Sequence, residues 1–340
     1  MSEQNRRTFM KAAALGAVSA VAANLPNEQA AAAENQTAGY ASKNFTAKST
    51  FKKKKERSSG MDSNVPFTEI KRPLRILIFG AHPDDGELKA GGAAAKWAKQ
   101  GHEVMICSVT NGNMGYWKNT GAPLAARRKA EVEKADKMLG ATSKVLDIDD
   151  STLMPTHENR LKLIKVIREW KADIVMGHRP CDYQADHRYL GVLMQDTAFM
   201  AAVPGVLPEI PAIPNPVYLY LYDYFQRPYP FIPDIAIDID PVADLKTKAV
   251  DVMESQFYEG GCMSNDSVLP KTPEEAKKRH EEIEKILAYR NVRAANFFRD
   301  ALIKQYGPEK GKKIKNAEFF EICEYGRSLT KEEIDFIFPF

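Results

Sequence analysis

From Leu74 onward the chain alternates short apolar runs with longer amphipathic stretches. Leu74 to Gly80, interrupted only by Arg75, is a short apolar run of the kind a buried strand carries. A helical pattern follows from Gly91 to Lys99 and stops at Gly101, and Val104 to Val109 is a second strand. A charged amphipathic helix over Ala122 to Leu139 closes at Gly140. A third strand over Val145 to Ile148, a helix over Asn159 to Trp170 and a fourth strand over Asp173 to Gly177 complete the first half. Three strand-helix alternations in succession predict right-handed βαβ units around a parallel sheet. The fold class is therefore α/β: a Rossmann-like, doubly wound, mostly parallel sheet with helices on both faces. The second half predicts a helix over Tyr189 to Met200 and a Pro-rich crossing from Val203 to Pro216. Strands follow at Val217 to Tyr222 and Ile235 to Ile239, and a helix at Leu245 to Phe257. Pro273 to Ile303 is mostly helical, and Phe319 to Glu324 reads as a late edge strand.

The residues before that alternation have a different character. Asn5-Arg6-Arg7-Thr8-Phe9-Met10-Lys11 precedes an Ala-rich apolar run from Ala12 to Leu25, and small residues at Ala30 to Ala33 offer a cleavage site. A basic start, a short apolar centre and a small-residue end describe an export signal, since a membrane span needs roughly 20 apolar residues. The paired arginines resemble the twin-arginine signal of bacteria, which implies a periplasmic or extracellular destination. Residues 1–33 are thus expected to be an export signal, 34–70 a polar linker and 71–340 a single domain. Lys52 to Lys55, the one dense basic run, falls in the linker and reads as solvated. A net charge of +3 over 340 residues gives no support to a nucleic-acid partner. No later segment is apolar enough to span a bilayer, and oligomeric state is left open.

The four cysteines lie far apart and none forms a CxxC pair. Cys107 and Cys323 fall in apolar strand patterns and are expected to be buried. Cys181 and Cys262 fall in loops, where an exported protein can form a disulfide.

Chemistry concentrates at strand ends, where open parallel sheets bind ligands. The first strand runs into His82-Pro83-Asp84-Asp85-Gly86-Glu87, and a dinucleotide-binding Gly-x-Gly-x-x-Gly is absent there. Imidazole and carboxylate are the donors a hydrolytic divalent metal takes, with a position left for water. His82 and one aspartate can supply two ligands from one turn, leaving the other aspartate near the bound water. The loop after the fourth strand, ending Asp182-Tyr183-Gln184-Ala185-Asp186-His187-Arg188, opens on the same rim. His187 can complete the set, and Asp186 or Asp182 can orient an imidazole. His178, just past the strand, is read as orienting the loop. Tyr218, Tyr220, Tyr222, Tyr224 and Phe225 alternate as core positions do, with Tyr222 or Tyr224 placed to stack on a sugar ring.

His82-Pro83-Asp84-Asp85-Gly86-Glu87 with Gly91-Gly92, and Asp186-His187-Arg188 ahead of a helix, resemble the two motifs of the PIG-L/LmbE family of N-acetylglucosaminyl deacetylases. The similarity spans about residues 74 to 255. It implies a zinc ion, or another divalent metal such as Fe2+, on His82, Asp85 and His187, with Asp84 as general base. Thr110 to Gly115 is similar to the family's loop after the second strand. Arg128-Lys129-Ala130-Glu131 is similar to its Arg-bearing helix. Arg128, Asn111 and Asp186 are accordingly expected at the substrate. Where the family reads His-Pro-Asp-His, this chain has Gln184-Ala185-Asp186-His187, so Gln184 is expected to supply a neutral oxyanion donor in place of an imidazole. Met253 replaces the His of a His-x-Ser-Gln segment. The implied activity is removal of the N-acetyl group from an N-acetylglucosamine-type sugar or its conjugate. The other readings are an amidase on a non-sugar amide and an exported zinc- and sugar-binding protein.

Overall fold

The computed structural model describes residues 65–340. The expected export signal, the basic run Lys52 to Lys55 and nearly all of the linker lie outside the described residues. Seven strands form one sheet in the order β3-β2-β1-β4-β5-β7-β6. β1 (Arg75–Gly80), β2 (Glu103–Ser108), β3 (Thr142–Val145), β4 (Ile174–Gly177) and β5 (Val217–Leu221) are mutually parallel. β7 (Ala317–Ile322) runs antiparallel to both β5 and β6 (Ile235–Asp238). The α/β class expected from the alternation is what the chain adopts.

Both faces of the sheet are covered, because successive side chains on a strand point to opposite sides. On β1, Ile76 and Ile78 join the cluster made with α1 (Asp85–Lys99) and α2 (Ala122–Leu139). Leu77 and Phe79 join the cluster made with α3 (His157–Trp170) and α4 (Ala185–Met200). The first face also takes α5 (Ala243–Asp251) and α7 (Pro273–Phe297). The remaining helices are the short α6 (Glu254–Phe257), α8 (Arg299–Gly311), kinked at Gly307-Pro308, and α9 (Lys331–Ile337). No described helix is long and apolar enough to cross a membrane.

Several boundaries differ from expectation, each for a physical reason. α1 begins at Asp85 rather than Gly91, because the acidic Asp85 and Glu87 suit the positive end of a helix. α4 begins at Ala185 rather than Tyr189, because the Gln184 side chain accepts the His187 N–H as a cap. β3 occupies 142–145 rather than 145–148, since it is a polar edge strand with little apolar signal. Phe319 to Glu324 was expected at an edge, yet β7 lies inside the sheet and β6 is the edge. The adjacent Phe319 and Phe320 are both fully buried, one against each face. The helix expected over Leu245 to Phe257 breaks between α5 and α6. Packing starts at Phe67, inside the stretch read as linker. Its N–H donates to Glu333 on α9 at 3.1 Å, and Arg327 lies over its ring.

The irregular crossing after α4 is held by one buried side chain. The Arg168 guanidinium donates to the carbonyls of Met200, Ala201, Val203, Leu207 and Ile210. It thereby satisfies backbone acceptors that no strand or helix reaches. All four cysteines are free, so Cys181 and Cys262 are not paired. Cys181 instead turns its thiol toward the Arg227 carbonyl at 3.8 Å. Cys107 and Cys323 are buried, as their strand patterns imply.

Candidate metal centre

The sheet order reverses beside β1, which has β2 on one side and β4 on the other. Loops leaving the carboxyl ends of β1 and β4 diverge there and open a crevice. The β1 loop delivers His82, Asp84 and Asp85, and the β4 loop delivers His178, Asp182, Gln184, Asp186 and His187. The amino termini of α1 and α4 both open on the crevice and add their partial positive charge.

Three donor atoms converge at its floor. His82 Nδ1 lies 3.2 Å from His187 Nε2, and Asp85 Oδ2 lies 3.3 Å from each of those nitrogens. A tetrahedral ion with bonds of about 2.0–2.1 Å sets its ligand atoms roughly 3.3 Å apart. The triangle therefore has the size of one face of such a coordination shell. The outward nitrogens have acceptors that fix each ring's tautomer. His82 Nε2 sits 3.2 Å from Asp186 and 3.3 Å from Asp150, and His187 Nδ1 sits 3.1 Å from Asp182. The lone pairs of His82 Nδ1 and His187 Nε2 are thus left for an ion. His178 stacks on His187 with ring centroids 4.0 Å apart, and its Nε2 is 3.2 Å from Asp85 Oδ2.

The charge balance asks for a cation. Burial opposes protonation of His187, yet Asp85 and Asp182 lift its pKa to about 9. Burial likewise opposes charge on His82, and Asp150, Asp186 and Asp85 hold its pKa well above the ordinary value. His178, buried and beside His187, is driven down to about 3. Two imidazoles that gather positive charge among buried carboxylates, with donor atoms at coordination spacing, could hold a divalent ion. Asp84 is buried next to this set and has no side-chain cap bond to α1. Burial, and then the Asp85 charge, raise its pKa.

Four of the expected residues have partners of their own in the fold. Gln184 is at the site, with its amide nitrogen 3.3 Å from His82 Nε2, while its oxygen is committed to capping α4. Asp186, expected at the substrate, is 1% exposed, and one of its oxygens faces His82 and accepts the Ser151 N–H at 2.7 Å, so it supports His82. Asn111, also expected at the substrate, is tied into its own loop. Its amide faces Asp147 and Asp149, and its oxygen accepts the Asn113 N–H. Arg128 is buried rather than open. It donates to the Gly115 carbonyl at 2.7 Å and to Gln256, and its charge acts on Asp84. A side chain at Gly115 would run into that guanidinium, which explains glycine there.

Met253 packs in the core beneath the site, so an apolar residue fits where the resemblance led to a His. The neighbouring Ser255 donates to Glu131 on α2 at 2.6 Å. Tyr222 is buried against Phe319 and Tyr224 and does not offer a stacking face. The open aromatic is Tyr183, which is 45% exposed, edge-on to His187 and against Phe225. Sequence reasoning passed over Asp150, Lys89 and Asp223. Lys89 Nζ lies 3.9 Å from Asp182 and 4.0 Å from Asp223. The acidic run Asp147 to Asp150 after the third strand was the readable signal for the first of them.

An α/β enzyme with a hydrolytic His-Asp-His rim is what this fold and site define. Residues 77–198 match the family described as PIG-L, GlcNAc-PI de-N-acetylase. The chain is 30% identical over 203 residues to the diacetylchitobiose deacetylase of Thermococcus kodakarensis, covering 58% of this chain and 74% of that one. It is 27% identical over 190 residues to the 4-oxalmesaconate hydratase of Pseudomonas putida, covering 54% and 74%. Among solved structures, N,N'-diacetylchitobiose deacetylase from Pyrococcus horikoshii shares the fold with a TM-score of 0.56 at 24% identity, covering 78% of this chain and 88% of that one. The chain belongs to the PIG-L family, and it is an enzyme of the hydrolytic N-deacetylase type.

Proposed function

We propose that this protein removes the acetyl group from an N-acetylglucosamine-type amino sugar or its conjugate, using a zinc ion held by His82, Asp85 and His187. The carrying observation is the triangle of donor atoms 3.2–3.3 Å apart with Asp84 beside it. Bound there, a divalent ion would supply Lewis acidity and would lower the pKa of a water at the site toward about 7.

The chain's own groups do the rest. Asp84 accepts a proton from the attacking water, because it is not itself needed as a ligand. The same carboxyl group then returns that proton to the leaving amine. The Gln184 amide donates toward the developing oxyanion. A pure binding protein would have no use for Asp84, which favours turnover. The twin-arginine pattern at Arg6-Arg7 supports export to the periplasm or beyond.

The test is metal analysis of the purified protein together with acetate release from a panel of N-acetylglucosaminides, for wild type and Asp84→Asn. Zinc at one per chain, with release that falls at least about 100-fold in the variant, is expected. Absence of bound metal, or a metal-loaded Asp84→Asn protein that keeps near-full activity, overturns the reading. Metal with no release from any acetamide favours the binding alternative.

A further inference from the structure

The search for unused charge at the crevice leads to α7, which lies outside the family-matched residues 77–198. Arg290 on this helix is half-buried, and among the described residues no carboxylate lies within ion-pair distance of it. Across a small cavity it faces Leu88, one turn beyond Asp84 on α1. Its charge is felt by Asp84, Lys89 and Tyr183, which line the approach to the metal centre.

The helix that carries Arg290 is pinned from behind. The adjacent Asn291 is buried and accepts from Lys246 Nζ at 2.7 Å. Lys246 pairs with Glu318 of β7 at 2.8 Å, and Glu318 accepts the Gly92 and Ala93 N–H groups of α1, each at 2.8 Å. In front, the Tyr224 hydroxyl donates to the Arg290 carbonyl at 3.3 Å. One turn on, Arg293 stacks over the Tyr224 ring at 4.2 Å.

A guanidinium held on a rigid frame beside a reaction centre, with no ion pair of its own, is preorganised to take an oxyanion in a bidentate bond. Arg128 is less available for this, because it is already engaged by Gly115 and Gln256. We propose that Arg290 is a specificity-determining residue and that the preferred substrate carries an anionic group, a carboxylate or a phosphate, beside its acetamide. This rests on the deacetylase reading and goes beyond it by naming the substrate's charge.

The experiment compares the metal-loaded full chain with Arg290→Met, Arg290→Lys and Arg293→Met. The neutral substrate is N-acetylglucosamine. The charged ones are N-acetylglucosamine 6-phosphate and N-acetylmuramic acid, which separate phosphate from carboxylate recognition. Wild type is expected to favour at least one charged substrate in kcat/KM. Arg290→Met should lose about 10-fold or more of that preference, chiefly in KM, with Arg290→Lys intermediate and Arg293→Met little changed.

If Arg290 merely tunes Asp84, charged and neutral substrates lose rate equally, and the proposal is overturned. A wild-type preference for the neutral sugar also overturns it. If no acetate is released from anything, the deacetylase reading fails on its own. Thermal-shift binding of glucosamine 6-phosphate and muramic acid, wild type against Arg290→Met, then still decides the anion claim. An Arg290-dependent shift supports it, and none refutes it.

Discussion

Two residues beyond Asp85, α1 buries Glu87 completely against Asp136 of α2, which is 1% exposed. The two carboxyl groups face each other, and Ser143 also reaches Asp136. Burial lifts Asp136 to about 7, and burial together with the Asp136 charge lifts Glu87 well above its ordinary value. In the unfolded chain Asp136 titrates at about 3.9. Its folded pKa is therefore raised, so its contribution to stability is complete below about pH 4 and is lost as pH rises through about 7. Three pKa units at about 1.36 kcal/mol each make that loss roughly 4 kcal/mol, and Glu87 adds to it with the same sign. Asp136→Asn presents a neutral side chain of the same shape at every pH. Its Tm relative to wild type should be near zero at pH 4.5 and should climb to roughly +10 °C by pH 8. Differential scanning calorimetry of both proteins in parallel, in half-unit pH steps, measures this directly. A Tm difference that stays flat, or that favours wild type more as pH rises, would refute the reasoning that burial keeps a proton on this pair.

Two further outcomes follow from the geometry of the rim. Asp182→Asn removes the carboxylate that lies 3.1 Å from His187 Nδ1, so metal affinity should fall about 10–100-fold in a chelator competition titration; unchanged affinity would show that His187 needs no such support. Gln184→Ala should cost about 1 kcal/mol through loss of the α4 cap and lower kcat about 100-fold through loss of the amide donor. Gln184→Asn caps well but is shorter, so it should recover the melting temperature and not the rate. Recovery of both would mean that Gln184 acts only as a cap.

The sequence made legible what depends on local pattern. β1, β2, β4 and the helices between them carry strong apolar periodicity, and the motif at His82 to Asp85 sits where a parallel sheet must place its ligand site. The His82, Asp85 and His187 side chains do converge in the fold, within 3.3 Å of one another. What depends on the partners of a residue was not legible. Nothing in the pattern of β7 distinguishes an edge from an interior strand, because the side chains of two neighbouring strands and two helix layers decide it. Arg168 looks like one more charge on an amphipathic helix until the crossing after α4 wraps its carbonyls around it.

The same distinction separates metal ligands from substrate contacts. A ligand set is constrained by chemistry to a few residue types at strand ends, so two short motifs are enough to name it. Asn111 and Asp186 have suitable chemistry and a suitable place, yet each is consumed by a neighbour: Asn111 by the loop holding Asp147 and Asp149, Asp186 by His82 and Ser151. Arg290 shows the converse. It comes from a charged helix more than 100 residues beyond His187 and has no motif of its own. It reaches the crevice only because Lys246, Glu318 and Asn291 lock α7 against α1 and β7. The proposed metal ligands therefore come from the first half of the domain, and the proposed substrate preference from how the second half packs against it.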